Sequence, residues 1–187
     1  YREVLSARRR DREPLDWAMT QSNLGSALAS LARREAGSQK WTEAIAAYRL
    51  ALEEYSVEKT PLQWAWGQNN LGLALENLGE REGKVARIEE AVAAFRSALT
   101  KTPGSAPEAA MIRNNLGNAL VALGEHEDNP ARLIEATEEF RAALKVRTRK
   151  AAPLSWATTQ SNLGNALAAL GERETGTARF AAAVDAY

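Results

Sequence analysis

Large apolar residues recur along this chain at helical spacing, and the arrangement returns four times. The first set is separated by seven, four and three residues, which places it on one face of a helix with 3.6 residues per turn. These residues are Trp17, Leu24, Leu28 and Leu31. A second set, spaced four, three and four, is Trp41, Ile45, Tyr48 and Leu52. No strand-like alternation occurs, so the pattern predicts an all-α chain made of helix pairs, A followed by B.

Two sets of residues, glycines and aromatic rings, recur along the chain with a common period, and we call them landmarks. Spacings of 47, 45 and 47 residues separate Gly25, Gly72, Gly117 and Gly164. Spacings of 47, 47, 45 and 47 separate Tyr1, Tyr48, Phe95, Phe140 and Tyr187. Such self-similarity predicts an α-solenoid of stacked repeats. We expect the end of one repeat at 1–13, repeats at 14–60, 61–105 and 106–152, and a truncated fourth at 153–187, all within a longer protein.

Local signals place the ends of these helices. Proline suits the first turn of a helix, so the A helices should begin near Pro14, Pro61, Ala106-Pro107 and Pro153 and run about 18 to 20 residues. Asn129 and Thr177 are predicted N-caps of B helices. Residues 1 to about 12 look like the second half of another B helix, since Tyr1-Arg2 and Leu5 match Tyr48-Arg49 and Leu52. A glycine inside a helix costs about 1 kcal/mol relative to alanine, so the four repeated glycines predict close approach to the backbone of a neighbouring helix.

Charge and composition exclude several classes of function. The chain has 24 Lys plus Arg and 24 Asp plus Glu, and this neutrality argues against nucleic acid as a partner. Its one basic run, 8–10, is interpreted as a solvated helix end rather than a patch for nucleic acid or membrane. There is no Cys, and no run of 18 apolar residues. We therefore expect a cytoplasmic protein with no membrane segment.

The repeated motif resembles that of the tetratricopeptide repeat (TPR) family. The residues that carry this resemblance are Leu24, Gly25, Leu28, Ala44, Tyr48 and Ala51. Two departures are a period of 45 to 47 residues instead of 34, and Gln21 where the family has Trp. The chain looks most similar to long-repeat bacterial arrays, which often accompany signalling domains, and to kinesin light chain. The resemblance implies a right-handed superhelix whose A helices line a concave groove that binds extended peptides.

An asparagine precedes each Leu-Gly pair, and the resemblance implies that these residues hydrogen-bond the backbone of a bound peptide. They are Asn23, Asn70, Asn115 and Asn162. Asparagine is a poor mid-helix residue, and its amide offers both donors and an acceptor. The alternative is that each amide only bonds a neighbouring helix.

Two further columns face the groove by the family pattern. Their predicted binding residues are Met19, Trp66, Leu73, Met111, Asn118 and Asn165. Trp66 lies outside the repeated core column, so it suits a pocket for apolar side chains; alternatively, it packs between helices. A basic groove edge would consist of Arg34, Arg81, His126 and Arg173, although cations at helix C-termini commonly complement the helix dipole.

No catalytic constellation is present in the sequence. His126 is the only histidine and replaces an arginine of the other repeats, and neither a phosphate loop nor a cluster with metal-ligand spacing occurs. We expect no enzyme activity, cofactor or metal. The leading hypothesis is a protein-interaction module that binds a peptide or partner segment. The alternative is a structural spacer or scaffold that self-associates end to end, and an enzyme would require a pocket for a metal or nucleotide.

Overall fold

The computed structural model describes residues 1, 10–127, 130–174 and 176–187. Regular structure in this part consists of helices alone, without strands, which confirms the all-α class. The helices are α1 (Pro14–Ala32), α2 (Gln39–Glu54), α3 (Pro61–Glu82), α4 (Val85–Leu99), α5 (Pro107–Glu127), α6 (Pro130–Leu144), α7 (Pro153–Gly171) and α8 (Ala178–Ala186). The predictions for residues 2–9 and for the N-cap Asn129 lie outside the described residues.

Proline opens each A helix, as predicted. The helices α1, α3, α5 and α7 begin at Pro14, Pro61, Pro107 and Pro153, and they contain 19, 22, 21 and 19 residues. Two of them are thus longer than expected. Thr177 occupies the N-cap position of α8, but its side chain makes no capping hydrogen bond. The predicted position is right, whereas the predicted capping chemistry is absent.

The repeated glycines lie against the repeated aromatic rings. A Cβ atom added to Gly117 would lie 2.5 Å from Cε1 of Phe140, and one added to Gly72 would lie 2.7 Å from Cε1 of Phe95. The same contact joins Gly25 to Tyr48 and Gly164 to Tyr187. Close approach is confirmed. The neighbour, however, is an aromatic ring, whereas we had expected the backbone of a neighbouring helix. The two sets of landmarks in the sequence are therefore the two sides of one contact.

The chain forms two compact units, residues 1–101 and 102–187. In the first unit α1 packs against α2, α3 packs against α4, and α2 also packs against α3. One core cluster consists of Ala18, Ala51 and Tyr55, with Trp17 and Trp64 packed against it. The tryptophans of the first two A helices thus pack where the beginning of α1 meets the end of α2.

Leu31 lies at the surface, which corrects the prediction that it shares the buried face of α1. Its side chain is 42% exposed, whereas the equivalent Leu78 of α3 is 0% exposed. The reason is the number of neighbours: α3 packs against both α2 and α4, while α1 packs mainly against α2. Among the described helices, none covers the face of α1 that corresponds to the α2 side of α3.

In the second unit α5 packs against α6, α7 packs against α8, and α6 also packs against α7. Leu133 and Phe140 of α6 are fully buried. The equivalent residues of the last repeat, Phe180 of α8 and Tyr187 directly after it, are exposed, as is Val184. The reason is that α6 lies between two A helices, whereas α8 packs only against α7 in the described part of the chain.

Candidate functional site

Two rows of solvent-accessible side chains run along the A helices of the first unit. Each row follows steps of three and four residues, which keeps its members on one face of the helix. The α1 row consists of Leu15, Met19, Asn23, Ser26, Ser30 and Arg33. The α3 row consists of Leu62, Trp66, Asn70, Leu73 and Asn77. None of these residues is buried, and five of them are predicted site residues: Met19, Asn23, Trp66, Asn70 and Leu73.

The N-terminal ends of both rows carry large apolar side chains. Leu15 is 48% exposed, Met19 46%, Leu62 58% and Trp66 42%. We call these four residues the apolar patch. Met19 and Trp66 are predicted site residues, whereas the two leucines were not identified from the sequence, although each follows the proline that opens its helix. Exposed aromatic and methionine side chains are enriched at protein interfaces, so the patch suits an apolar partner.

Beyond the patch, a cavity of ≈ 130 Å³ opens between α1, α2 and α3. We call it the polar cavity. It is lined by Ser26, Ala29, Ser30, Arg33, Trp41, Tyr48, Asn70, Leu73 and Ala74. Two of the predicted site residues, Asn70 and Leu73, belong to this lining. The volume corresponds to about four water molecules, which is enough for one side-chain group.

Hydroxyl groups form one wall of the polar cavity. The Tyr48 hydroxyl donates a hydrogen bond to Oγ of Ser26 at 3.2 Å, and the Ser30 hydroxyl donates to the backbone oxygen of Ser26 at 2.9 Å. Burial raises the pKa of the Tyr48 phenol, while the Ser26 hydrogen bond and the charge of Arg33 act in the opposite direction. Tyr48 is therefore a neutral donor at physiological pH.

Arg33 and Asn70 provide further hydrogen-bond donors in the lining of the polar cavity. The Arg33 guanidinium lies over the ring of Trp41, 5.9 Å from its centroid. The side-chain oxygen of Asn70 accepts a hydrogen bond from Nδ2 of Asn69 at 3.3 Å. Within the described part of the chain, neither the Arg33 guanidinium nor the Asn70 NH₂ group has a hydrogen-bond acceptor.

The second unit holds the remaining predicted groove residues. Met111, Asn115 and Asn118 are half-buried on α5, as is Asn162 on α7, and Asn165 is exposed. Nδ2 of Asn162 donates to Oδ1 of Asn114 at 3.2 Å, and Oδ1 of Asn165 accepts from the Tyr187 hydroxyl at 2.6 Å. Asn162 was predicted either to bond a bound peptide or only to bond a neighbouring helix. The structure has the second arrangement at Asn162, a hydrogen bond to the A helix α5.

A buried polar network at Asn114 was not identified from the sequence. Asn114 is 7% exposed, and its Oδ1 lies 3.1 Å from the hydroxyl of Thr159, which is fully buried. Nη1 of Arg147 donates to that hydroxyl at 2.9 Å, and burial lowers the pKa of Arg147. The signal was the doubled asparagine of the middle repeats, where the first member, Asn69 or Asn114, is buried and the second is accessible.

The predicted basic edge divides into bonded and exposed residues. Nη1 of Arg81 donates to the backbone oxygens of Glu35 and Gly37, both at 2.7 Å. Nη2 of Arg173 donates to the backbone oxygen of Gly124 at 3.2 Å. These two arginines hold carbonyl groups at the end of the preceding A helix or in the loop that follows it. Arg34 and His126 are exposed, so the four residues do not have one common role.

Glu76 carries a buried carboxyl group that was also not identified from the sequence. It is 7% exposed, and the equivalent residues of the other repeats are Ala29, Val121 and Ala168. Desolvation by burial raises the pKa of Glu76 from 4.5 to about 8, and the charge of Glu80 acts in the same direction. Glu76 is therefore largely protonated at neutral pH, because burial disfavours its charged form.

No group of three or more His, Asp or Glu residues that could hold a metal ion occurs among the described residues. Within the same residues, no helix is both long enough and apolar enough to span a bilayer. Comparison of the chain with models of known protein families and with curated proteins found no match. The site must therefore be interpreted from its own chemistry.

Proposed function

We propose that the chain is a TPR-like protein-interaction module that binds an extended peptide or partner segment along the exposed rows of its A helices. The observation that carries this proposal is the juxtaposition, in one unit, of the apolar patch and the polar cavity. The patch would accept apolar side chains of the ligand, and the cavity would accept a polar group. In this proposal the repeats stack as a right-handed superhelix.

Asn70 lies between the two parts of the site and supports the proposal. It is four residues after Trp66 and three before Leu73, so it is one helical turn from each. Its NH₂ group has no acceptor in the described part of the chain, and a peptide backbone carbonyl would supply one. Asn70 would therefore fix the ligand backbone, while Trp66 selects an apolar side chain.

Selection from a displayed library of random peptides tests this function. We expect the wild-type chain to enrich peptides with an apolar anchor, and Trp66→Ala and Asn70→Ala each to weaken a selected peptide in fluorescence polarisation. Removing a buried aromatic anchor from an interface costs about 2 kcal/mol or more, or roughly thirtyfold in Kd. Ile134→Ala is the control, because Ile134 is 40% exposed and lies on α6 of the other unit. Enrichment of no peptide would refute the function, provided that circular dichroism shows a folded chain.

A scaffold that self-associates end to end is the second candidate. The observation that favours it is the exposed face of α8, where Val184 is 73% exposed and Tyr187 69%. Equivalent residues of α6 are covered by α7, so a helix of the same type from a second copy could cover α8. Analytical ultracentrifugation of wild type and Val184→Lys separates the two cases. A concentration-dependent mass that the substitution abolishes would support the scaffold, and a monomer at all concentrations would refute it.

A further inference from the structure

The loop between α6 and α7 concentrates positive charge in the second unit. It spans residues 145–152, and Lys or Arg occupies four of these eight positions. We call these four residues the basic loop: Lys145, Arg147, Arg149 and Lys150. Arg147 is half-buried and the other three are exposed. The loop joins a B helix to the next A helix, so it lies outside the rows of side chains that run along the A helices.

The loop between α2 and α3 closes with the same hydrogen bonds but carries the opposite charge. The side-chain oxygens of Ser56 and Thr148 each accept a hydrogen bond from the backbone N–H three residues later, at 3.0 and 3.1 Å. Their backbone oxygens each accept from the N–H four residues later, both at 2.9 Å. The equivalents of the four basic residues are Glu53, Tyr55, Val57 and Glu58. The turn therefore forms without basic residues, and the fold does not require them.

Two side chains of the basic loop are held in place by α7. Nη1 of Arg147 donates a hydrogen bond to the hydroxyl of Thr159 at 2.9 Å. The Arg149 guanidinium lies over the ring of Trp156, 5.7 Å from its centroid. The ring covers one face of this guanidinium and leaves its N–H edges available for a carboxylate. A surface that is already ordered loses less conformational freedom when a partner binds.

The charge of the basic loop is not compensated within the described residues. Other arginines of the same unit do pair with glutamates, at 2.6 to 3.3 Å: Arg113 with Glu139, Arg132 with Glu127, and Arg179 with Glu174. None of the four basic-loop residues pairs with a carboxylate in the part of the chain that the structure describes. Burial lowers the pKa of Arg147, as it does for a cation without a neighbouring carboxylate.

We propose that the basic loop is a docking surface for an acidic segment of a partner protein, whose Asp and Glu side chains pair with Lys145, Arg149 and Lys150. Arg147 ties the loop to α7 and adds to its positive charge. This surface lies in the second unit, whereas the apolar patch and the polar cavity lie in the first. The proposal therefore does not depend on the peptide site of the A helices.

The charges around the basic loop favour a short acidic segment over an extended polyanion. Outside the loop, residues 102–187 contain five Lys or Arg and ten Asp or Glu. A nucleic acid or an anionic membrane would extend beyond the loop and meet these carboxylates, which repel it. The acidic loop of a second copy is less suitable, because Arg10 already pairs with Glu53 and Glu54 there.

Binding of defined anions to the full chain tests the proposal. The probes are a fluorescein-labelled oligopeptide of alternating Asp and Glu, its Asn and Gln counterpart, a short DNA duplex, and vesicles that contain phosphatidylserine. The test variant combines Lys145→Glu with Lys150→Glu, which introduces the residues of the equivalent loop in the first unit. The control combines Lys59→Glu with Lys101→Glu, which reverses two exposed lysines in the other loops between B and A helices.

We expect wild type to bind the acidic oligopeptide but not its amide counterpart, with backbone ¹⁵N shift changes centred on residues 145–150. The test variant should weaken binding about tenfold or more, because attraction becomes repulsion at two positions, whereas the control should change it less than about twofold. A rise from about 50 to about 300 mM salt should weaken binding several-fold, since the charges are exposed. Trp66→Ala should leave this binding unchanged.

Four results would overturn the proposal: no binding of the acidic oligopeptide, equal weakening by the test and control variants, tighter binding of the DNA duplex or the vesicles, or shift changes centred elsewhere. Circular dichroism checks that each variant is folded, and Lys145→Gln combined with Lys150→Gln replaces the test variant if it is not. Because none of these results involves the A helices of the first unit, failure here would leave the proposed function intact. Failure of the peptide selection would likewise leave the basic loop as a separate question, which the acidic oligopeptide decides.

Discussion

Replacement of the buried Glu76 by glutamine should remove a pH dependence from the stability of the first unit. Glutamine has nearly the same shape and cannot ionise, so the change isolates the charge. The Glu76 side chain is 7% exposed, and the pKa of its carboxyl group is raised from 4.5 to about 8 by burial. In the unfolded chain the group ionises near its ordinary pKa of 4.5.

The sign of this pH dependence follows from the number of protons that the folded and unfolded chains bind. Between pH 4.5 and about 8 the folded chain holds a proton at Glu76 that the unfolded chain has lost, so the free energy of unfolding falls as pH rises. The contribution of the protonated Glu76 carboxyl group to the free energy of unfolding is complete below pH 4.5. It is lost as the pH rises through the pKa of Glu76 in the folded chain. The difference between the two pKa values corresponds to at most ~5 kcal/mol, at about 1.4 kcal/mol per pH unit.

Urea unfolding at several pH values between 5 and 8 measures this effect, with tryptophan fluorescence as the signal. Wild type should lose stability across the range, whereas Glu76→Gln should show a much flatter profile. The control Glu89→Gln removes an exposed carboxylate of α4 and should keep the wild-type slope. The ¹³C shift of the Glu76 carboxyl group reports its pKa directly. Parallel profiles for wild type and Glu76→Gln, or a titration midpoint near 4.5, would refute the reasoning.

Three further predictions concern contacts that hold the repeats. Gly117→Ala should destabilise the second unit by about 1–3 kcal/mol in urea, because the new Cβ overlaps the buried ring of Phe140; Gly37→Ala, which meets no atom within 4 Å, is the control, and equal effects would contradict the contact. Arg81→Ala should lower the free energy of unfolding by about 1 kcal/mol and speed hydrogen exchange in the loop between α1 and α2, because Arg81 bonds two carbonyl groups of that loop. Unchanged exchange in the loop would contradict this role of Arg81. Asn114→Ala should cost about 2 kcal/mol, since it leaves buried polar partners unpaired, and a loss below 0.5 kcal/mol would count against the network.

The sequence was sufficient to predict helices and their starts, because proline and apolar spacing act within one helix. It also predicted that the glycines mark a close contact. Burial at Leu31 was predicted wrongly, since it depends on whether another helix covers that face of α1, and the repeat period contains no information about such a neighbour. For the same reason the buried Glu76 and the cavity, which three helices form together, were not identified from one helix at a time.

The candidate site differs from the fold in how its residues relate to the repeat. Residues that build the fold recur in all four repeats, as the glycine and its ring partner do. The residues of the polar cavity recur only in part: the asparagine is common to all repeats, whereas Arg33 belongs to one. Trp41 fills a buried position that Ile88 and Leu133 fill in the next two repeats. Selective binding of an extended ligand requires two kinds of contact. Contacts that all repeats share hold the backbone of the ligand, and contacts specific to one repeat distinguish its side chains. If the site binds a peptide, exchange of Arg33 for the glutamate of the other repeats should change which peptide is bound rather than whether the module folds.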